Sequence, residues 1–109
     1  IVYTNPEVAG VGLTEAQALQ QGIDYECLKL PMAYSGRFVA ENEGGEGVCK
    51  IVSEKATGRV LGVHMLGNPC SEIISSACIA IERGMTVSEL ERVVFPHPTV
   101  SEIVKECLI

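Results

Sequence analysis

Apolar residues fall along this chain in two periods, and the change from one to the other divides it roughly in half. From residue 23 to residue 30 they alternate, with Ile23, Tyr25 and Cys27 set against Asp24 and Glu26, and Pro31 closes the run. That is the period of a strand. Residues 48–53 and 60–66 predict two more, joined across 54–59 with Thr57-Gly58 supplying the turn, so a hairpin is expected there. In the second of these, Leu61, Val63 and Met65 fall on one side and Val60, Gly62, His64 and Leu66 on the other, which implies cover on both faces and makes His64 a packed sheet histidine. Residues 1–4 are apolar and β-prone and predict a short first strand, broken by Asn5-Pro6. Between residues 32 and 47 the pattern fades and reads as loop, a mobile surface or a contact region.

Helical signals cluster in the second half, with one near the start of the chain. Thr14-Glu15-Ala16-Gln17 and Thr86-Val87-Ser88-Glu89 are capping boxes that start short helices, the first ending at Gly22 and the second near Arg92. Asn68-Pro69 starts a longer helix, with proline expected at its first position, that runs to Arg83 and stops at Gly84. Its apolar set of Ile73, Ile74, Ala77, Cys78, Ile79, Ala80 and Ile81 covers more than one stripe, so two sides need burial. The sheet can take one; the other is either a partner subunit's or the interior of a small domain. A last helix is expected over about 100–108. Strands first and helices later give an α+β fold, an antiparallel β-sheet with helices packed on one face, in a single domain spanning 1–109.

Composition narrows the choice of function. A chain of 109 residues can bury roughly two thirds of its unfolded surface without a metal or a disulfide. A net charge of −6 with only eight scattered Lys and Arg argues against a nucleic-acid partner, and no run of eighteen apolar residues argues for a membrane. The five cysteines lack C-x-x-C spacing, and Cys70 and Cys78, eight residues apart on one predicted helix, would be about 12 Å apart along its axis. They read as small buried hydrophobes in a reducing compartment, with no metal site. Gly10-Val11-Gly12 lacks the third glycine of a dinucleotide fingerprint, and the Gly44-Gly45-Glu46-Gly47 turn is acidic, so neither is a phosphate cradle. The chain opens on Ile1-Val2-Tyr3, without initiator methionine or leader, and reads as an excised C-terminal piece.

The candidate chemistry lies in Phe95-Pro96-His97-Pro98-Thr99-Val100-Ser101-Glu102. Two prolines restrict the backbone around His97 and push Phe95 and His97 toward extended geometry. Thr99 and Glu102 have capping-box spacing, which predicts that the Glu102 carboxylate turns back toward the Thr99 amide and comes close to the imidazole. An imidazole beside a carboxylate is a candidate general base, its tautomer and orientation fixed by the acid. The same box at Thr14 and Thr86 has no histidine near it, so the spacing alone favours a purely helix-starting role.

His97-Pro98-Thr99-Val100-Ser101-Glu102 resembles the C-terminal signature of the flavin-dependent pyridine nucleotide-disulfide oxidoreductases, most closely the dihydrolipoamide dehydrogenase branch. Three further stretches agree with that family in the same order: the run from Tyr3-Thr4-Asn5-Pro6-Glu7 through Gly10-Val11-Gly12-Leu13-Thr14-Glu15, then Gly58-Arg59-Val60-Leu61-Gly62-Val63-His64-Met65-Leu66-Gly67, then Glu72-Ile73-Ile74. Phe95 stands where many lipoamide dehydrogenases carry a second histidine, and Ile103 where glutathione and trypanothione reductases continue with another Glu. The resemblance implies the dimerisation domain of a homodimeric flavoenzyme that lacks its own FAD and NAD domains and redox cysteine pair. It implies His97 and Glu102 as the acid/base pair delivered to the partner subunit's site, with His97 and Pro98 lying toward the partner's FAD. The implied substrate is a dihydrolipoamide-type dithiol, free or on a carrier protein of a 2-oxoacid dehydrogenase or glycine cleavage complex, and the implied compartment is the cytoplasm in preference to the mitochondrial matrix. Two alternatives accompany it: a self-association module inactive in isolation, and the same domain of a glutathione-reductase-like NADPH enzyme.

Overall fold

A computed structural model describes residues 1–108. Four antiparallel strands, β1 (Val8–Gly12), β2 (Tyr25–Pro31), β3 (Val48–Glu54) and β4 (Val60–Leu66), form one open sheet in the order β1-β4-β3-β2. The β3–β4 hairpin is where the alternation places it, with Ile51 opposite Val63 and Cys49 opposite Met65. These four side chains share a face with Ala9 and are buried there against α3 (Cys70–Glu82) and α5 (Ile103–Glu106), which contribute Ile74, Ala77, Ala80, Ile103 and Val104. The α+β class and the antiparallel sheet are as the sequence predicts.

The other face carries a row of Gly10, His64, Lys50 and Lys29 in register. The chain crosses it on leaving β1 and enters α1 (Glu15–Gln20), where Glu15 pairs with Lys50 at 2.7 Å. His64 is the packed histidine expected, its Nε2 2.9 Å from the Leu13 carbonyl. Glycine makes this crossing possible. A Cβ on Gly10 would lie 2.5 Å from His64 Nδ1 and one on Gly62 1.9 Å from the Leu13 oxygen, while Gly12 turns the strand at φ +76°. The Gly10-Val11-Gly12 run thus serves packing.

Thr14 and Thr86 cap α1 and α4 (Val87–Glu91) through complete capping boxes with Gln17 and Glu89. Gly22 and Gly84, at φ +72° and +64°, follow α1 and α3 as expected of helix-ending residues.

Four local expectations are corrected. Residues 1–4 make no strand: Val2 forms one isolated bridge to Val8, and the strand proper starts beyond the Asn5-Pro6 turn. Pro69 is the N-cap of α3 and Cys70 its first residue, with Glu7 reaching across to accept from Ser71 N and Oγ at 3.2 and 2.8 Å and so to satisfy the first turn. Residues 32–47 hold a single 3-10 turn (Met32–Tyr34) and α2 (Gly36–Glu41), which place Met32 and Phe38 in the core at 0% and 1% exposure. The last helix is shorter than expected, Ile103–Glu106, with Glu102 as its N-cap.

Candidate functional site

The segment between α4 and α5 runs over the surface and is held down at both ends. Phe95 packs partly buried against the core, and Val100 is 5% exposed. Between them the His97–Pro98 peptide is cis. Thr99 Oγ1 donates to the Pro96 carbonyl at 2.6 Å, closing the loop around the histidine, and Ser101 Oγ donates to Thr99 Oγ1 at 3.1 Å.

His97 Nδ1 lies 2.9 and 2.8 Å from the two oxygens of Glu102. A carboxylate only accepts, so the proton of a neutral ring sits on Nδ1 and the lone pair on Nε2. The imidazole is 79% exposed while the Glu102 side chain is 12% exposed, so the acid is seated and the ring projects outward from it. Nε2 has no partner among the described residues. The pairing that the spacing suggests is present, but its route differs. The Thr99–Glu102 box does not form: α5 has Glu102 itself as N-cap, the Thr99 hydroxyl donates to Pro96 and accepts from Ser101, and the carboxylate bonds the imidazole. The Glu102 carboxylate is thereby freed from capping and turned wholly to His97.

Around this pair lie two shallow clefts. One, of about 230 Å³, runs between Arg37 and Glu41 of α2, Pro69, and the Pro98–Thr99 corner. The other, of about 440 Å³, is lined by Ile73 and Ser76 of α3 and by Val93, Val94, Phe95 and Pro96. Val94 is 86% exposed, Val93 40%, and Ile79 on the outer side of α3 63%. The apolar circumference of α3 is therefore half used. Cys70, Ile74, Ala77 and Ala80 enter the core, and the opposite side with Cys78 and Ile79 stays open.

Sequence reasoning passed over Ser35, the N-cap of α2. It is 1% exposed, accepts from Phe38 N at 3.2 Å and donates to the Thr99 carbonyl at 3.2 Å. The signal available was a serine three residues before a phenylalanine in a stretch without periodicity. Burial raises the Cys27 and Cys70 thiols, and a hydrogen bond with the Cys107 thiol together with burial raises Cys49, while the same bond lowers Cys107, which is itself buried. Among the described residues no group of three or more His, Cys, Asp or Glu is placed to hold a metal, and no helix is long and apolar enough to cross a membrane.

Residues 1–108 match the model of the pyridine nucleotide-disulphide oxidoreductase dimerisation domain. The chain is 42% identical over 106 residues to the mitochondrial dihydrolipoyl dehydrogenase of Caenorhabditis elegans and 41% identical to that of Homo sapiens, each alignment covering 97% of this chain and 21% of the relative. It spans about a fifth of the length of the curated relatives it matches. Among solved structures, the HOCl-induced flavoprotein disulfide reductase RclA from Escherichia coli superposes with a TM-score of 0.89 at 29% identity, over 97% of this chain and 24% of that one. LpdA from Mycobacterium tuberculosis gives 0.86 at 26%, over 97% and 23%. Matched span, sequence identity and fold together make this chain a member of the pyridine nucleotide-disulphide oxidoreductase family, as its dimerisation domain and close to the dihydrolipoyl dehydrogenases.

Proposed function

We propose that this domain serves a homodimeric flavoprotein that oxidises a dihydrolipoamide-type dithiol with NAD⁺, and that His97 is its acid/base group, acting across the subunit boundary. One observation carries the reading. A ring bonded through Nδ1 to a largely buried carboxylate is otherwise open to solvent, so its basic nitrogen is offered to something outside its own protomer.

The chemistry follows from thiol ionisation. A free thiol has a pKa near 8.5 and only its thiolate attacks a disulfide. His97 Nε2 takes the proton of the entering thiol, and the Glu102 carboxylate stabilises the imidazolium that results. The His97-Pro98 edge is exposed, and this suits contact with an FAD held by a partner subunit. When bound, FAD supplies the two-electron relay between a redox disulfide and NAD⁺. The cleft beside Val93–Pro96 and the open side of α3 supply apolar surface for the second subunit. Five free cysteines suit a reducing compartment, the cytoplasm or the mitochondrial matrix.

The test is His97→Gln in the protein that carries this domain together with its flavin and nucleotide domains. Dithiol oxidation is expected to fall by roughly 10²–10⁴-fold, the usual yield of general acid–base catalysis, with flavin content unchanged. Turnover like that of the unmodified enzyme would remove the assignment.

The open apolar surface by itself favours a second reading, association without chemistry. Sedimentation of the 109-residue chain separates the two contributions: self-association here requires no intact His97.

A further inference from the structure

Ser35 and the acid/base pair are far apart in sequence and meet at one hydroxyl. Ser35 Oγ is buried at 1% exposure and bonded on both sides, accepting from Phe38 N at 3.2 Å and donating to the Thr99 carbonyl at 3.2 Å, across 64 positions of sequence. Thr99 is the residue that straps the histidine loop, through its own bond to the Pro96 carbonyl. The backbone on the far side of His97 is thus gripped twice, once by its own strap and once by α2.

We propose that Ser35 is a positioning residue for His97, holding the Pro98–Thr99 corner so that the imidazole stays in register with Glu102. The proposal rests on the reading of His97 as the acid/base group. Three observations support it. The loop has no helix or strand of its own between α4 and α5, so its shape depends on side-chain bonds. The tether joins it to a helix anchored in the core by Phe38, a rigid point of attachment. The bond is internal and part-buried, where a lost donor leaves the Thr99 carbonyl without that partner. Glu102 grips the ring from the α5 side and the Thr99 strap closes the loop only on itself, so without Ser35 no side-chain bond ties the Thr99 corner to α2.

Three variants test this: Ser35→Ala removes both bonds, Ser35→Cys keeps the volume with a much weaker donor, and Ser35→Thr keeps the hydroxyl. In the 109-residue chain, the ¹⁵N resonances of the His97 ring read the Nδ1 bond to Glu102. Ser35→Ala and Ser35→Cys are expected to move Nδ1 toward its value in Glu102→Gln, and Ser35→Thr is expected to leave it in place. In the full enzyme, kcat for dithiol oxidation should fall roughly five- to tenfold in Ser35→Cys, the factor that about one neutral hydrogen bond supplies, with KM little changed and recovery in Ser35→Thr. Unmoved His97 resonances in a folded Ser35→Cys variant would overturn the proposal, as would an equal loss of kcat in Ser35→Thr. If Ser35→Ala does not fold, the Cys and Thr variants decide. A failure of the acid/base reading would appear separately, as undiminished turnover in His97→Gln.

Discussion

Glu102 reaches His97 with both carboxylate oxygens, at 2.9 and 2.8 Å from Nδ1, while serving as N-cap of α5 by its backbone alone. The side chain is free for the imidazole because it makes no capping bond at α5.

Glu102→Gln keeps the size and one accepting oxygen but not the charge. A charge-assisted bond is worth more than a neutral one by about 1 kcal/mol, so kcat for dithiol oxidation is expected to drop roughly five- to tenfold, well short of the roughly 10²–10⁴-fold fall expected of His97→Gln. Steady-state kinetics of the two variants side by side make the comparison.

Phe38→Ala tests whether residues 32–47 belong to the core. The side chain is 1% exposed beside Met32 and above Gly67, and its removal should cost about 3–5 kcal/mol, read as a lower denaturant midpoint. A surface loop would barely respond.

Gly62→Ala addresses the crossing over the far face of the sheet. A methyl there would come within 1.9 Å of the Leu13 carbonyl and 2.9 Å of its nitrogen, both backbone, so the crossing segment must shift. A loss of about 1–3 kcal/mol is expected in chemical unfolding, with the His64 to Leu13 bond broken in the variant.

The Glu15–Lys50 pair gives a pH signature. The Lys50 ammonium holds Glu15 below its ordinary 4.5, and the Glu15 carboxylate holds Lys50 above its ordinary 10.5. Glu15 is depressed on folding, so its contribution is present above 4.5 and fades as pH falls through the folded value. Lys50 is raised, so its contribution is present below 10.5 and is lost as pH rises past it. The Tm gap between the unmodified chain and Lys50→Met should therefore narrow at both extremes and with added salt, since both side chains are about a third exposed.

Thiol labelling should be ordered by burial. Cys78 lies exposed on the outer side of α3, whereas Cys49, Cys70 and Cys107 are buried, and burial also raises the Cys70 thiol. Alkylation of the dissociated 109-residue chain followed by mass mapping is expected to modify Cys78 first and the buried three only on unfolding.

Much of this architecture is legible in the sequence because it rests on local signals. The β3–β4 alternation, the capping boxes at Thr14 and Thr86 and the glycines after α1 and α3 are each decided within a few residues. So is the closeness of His97 and Glu102, which five positions of chain impose. What the sequence conceals is decided at long range. The hold on the Thr99 carbonyl comes from Ser35, 64 positions away, and α2 is a six-residue helix whose existence rests on Phe38 and Met32 finding the core. The strand expected at residues 1–4 failed for the same reason: a β-prone run without a neighbour to pair with is outcompeted by Val8–Gly12, whose glycines look like poor strand formers until His64 and Leu13 are seen to need the room.

The tie between Ser35 and Thr99 also sets a limit on transplantation. A peptide or graft carrying only residues 86–108 would reproduce the histidine, its acid and both prolines, yet leave behind the helix that clamps the corner. Such a graft should show the imidazole–carboxylate contact only transiently, and a host scaffold would have to provide a donor in the place of Ser35 before the segment behaved as it does here.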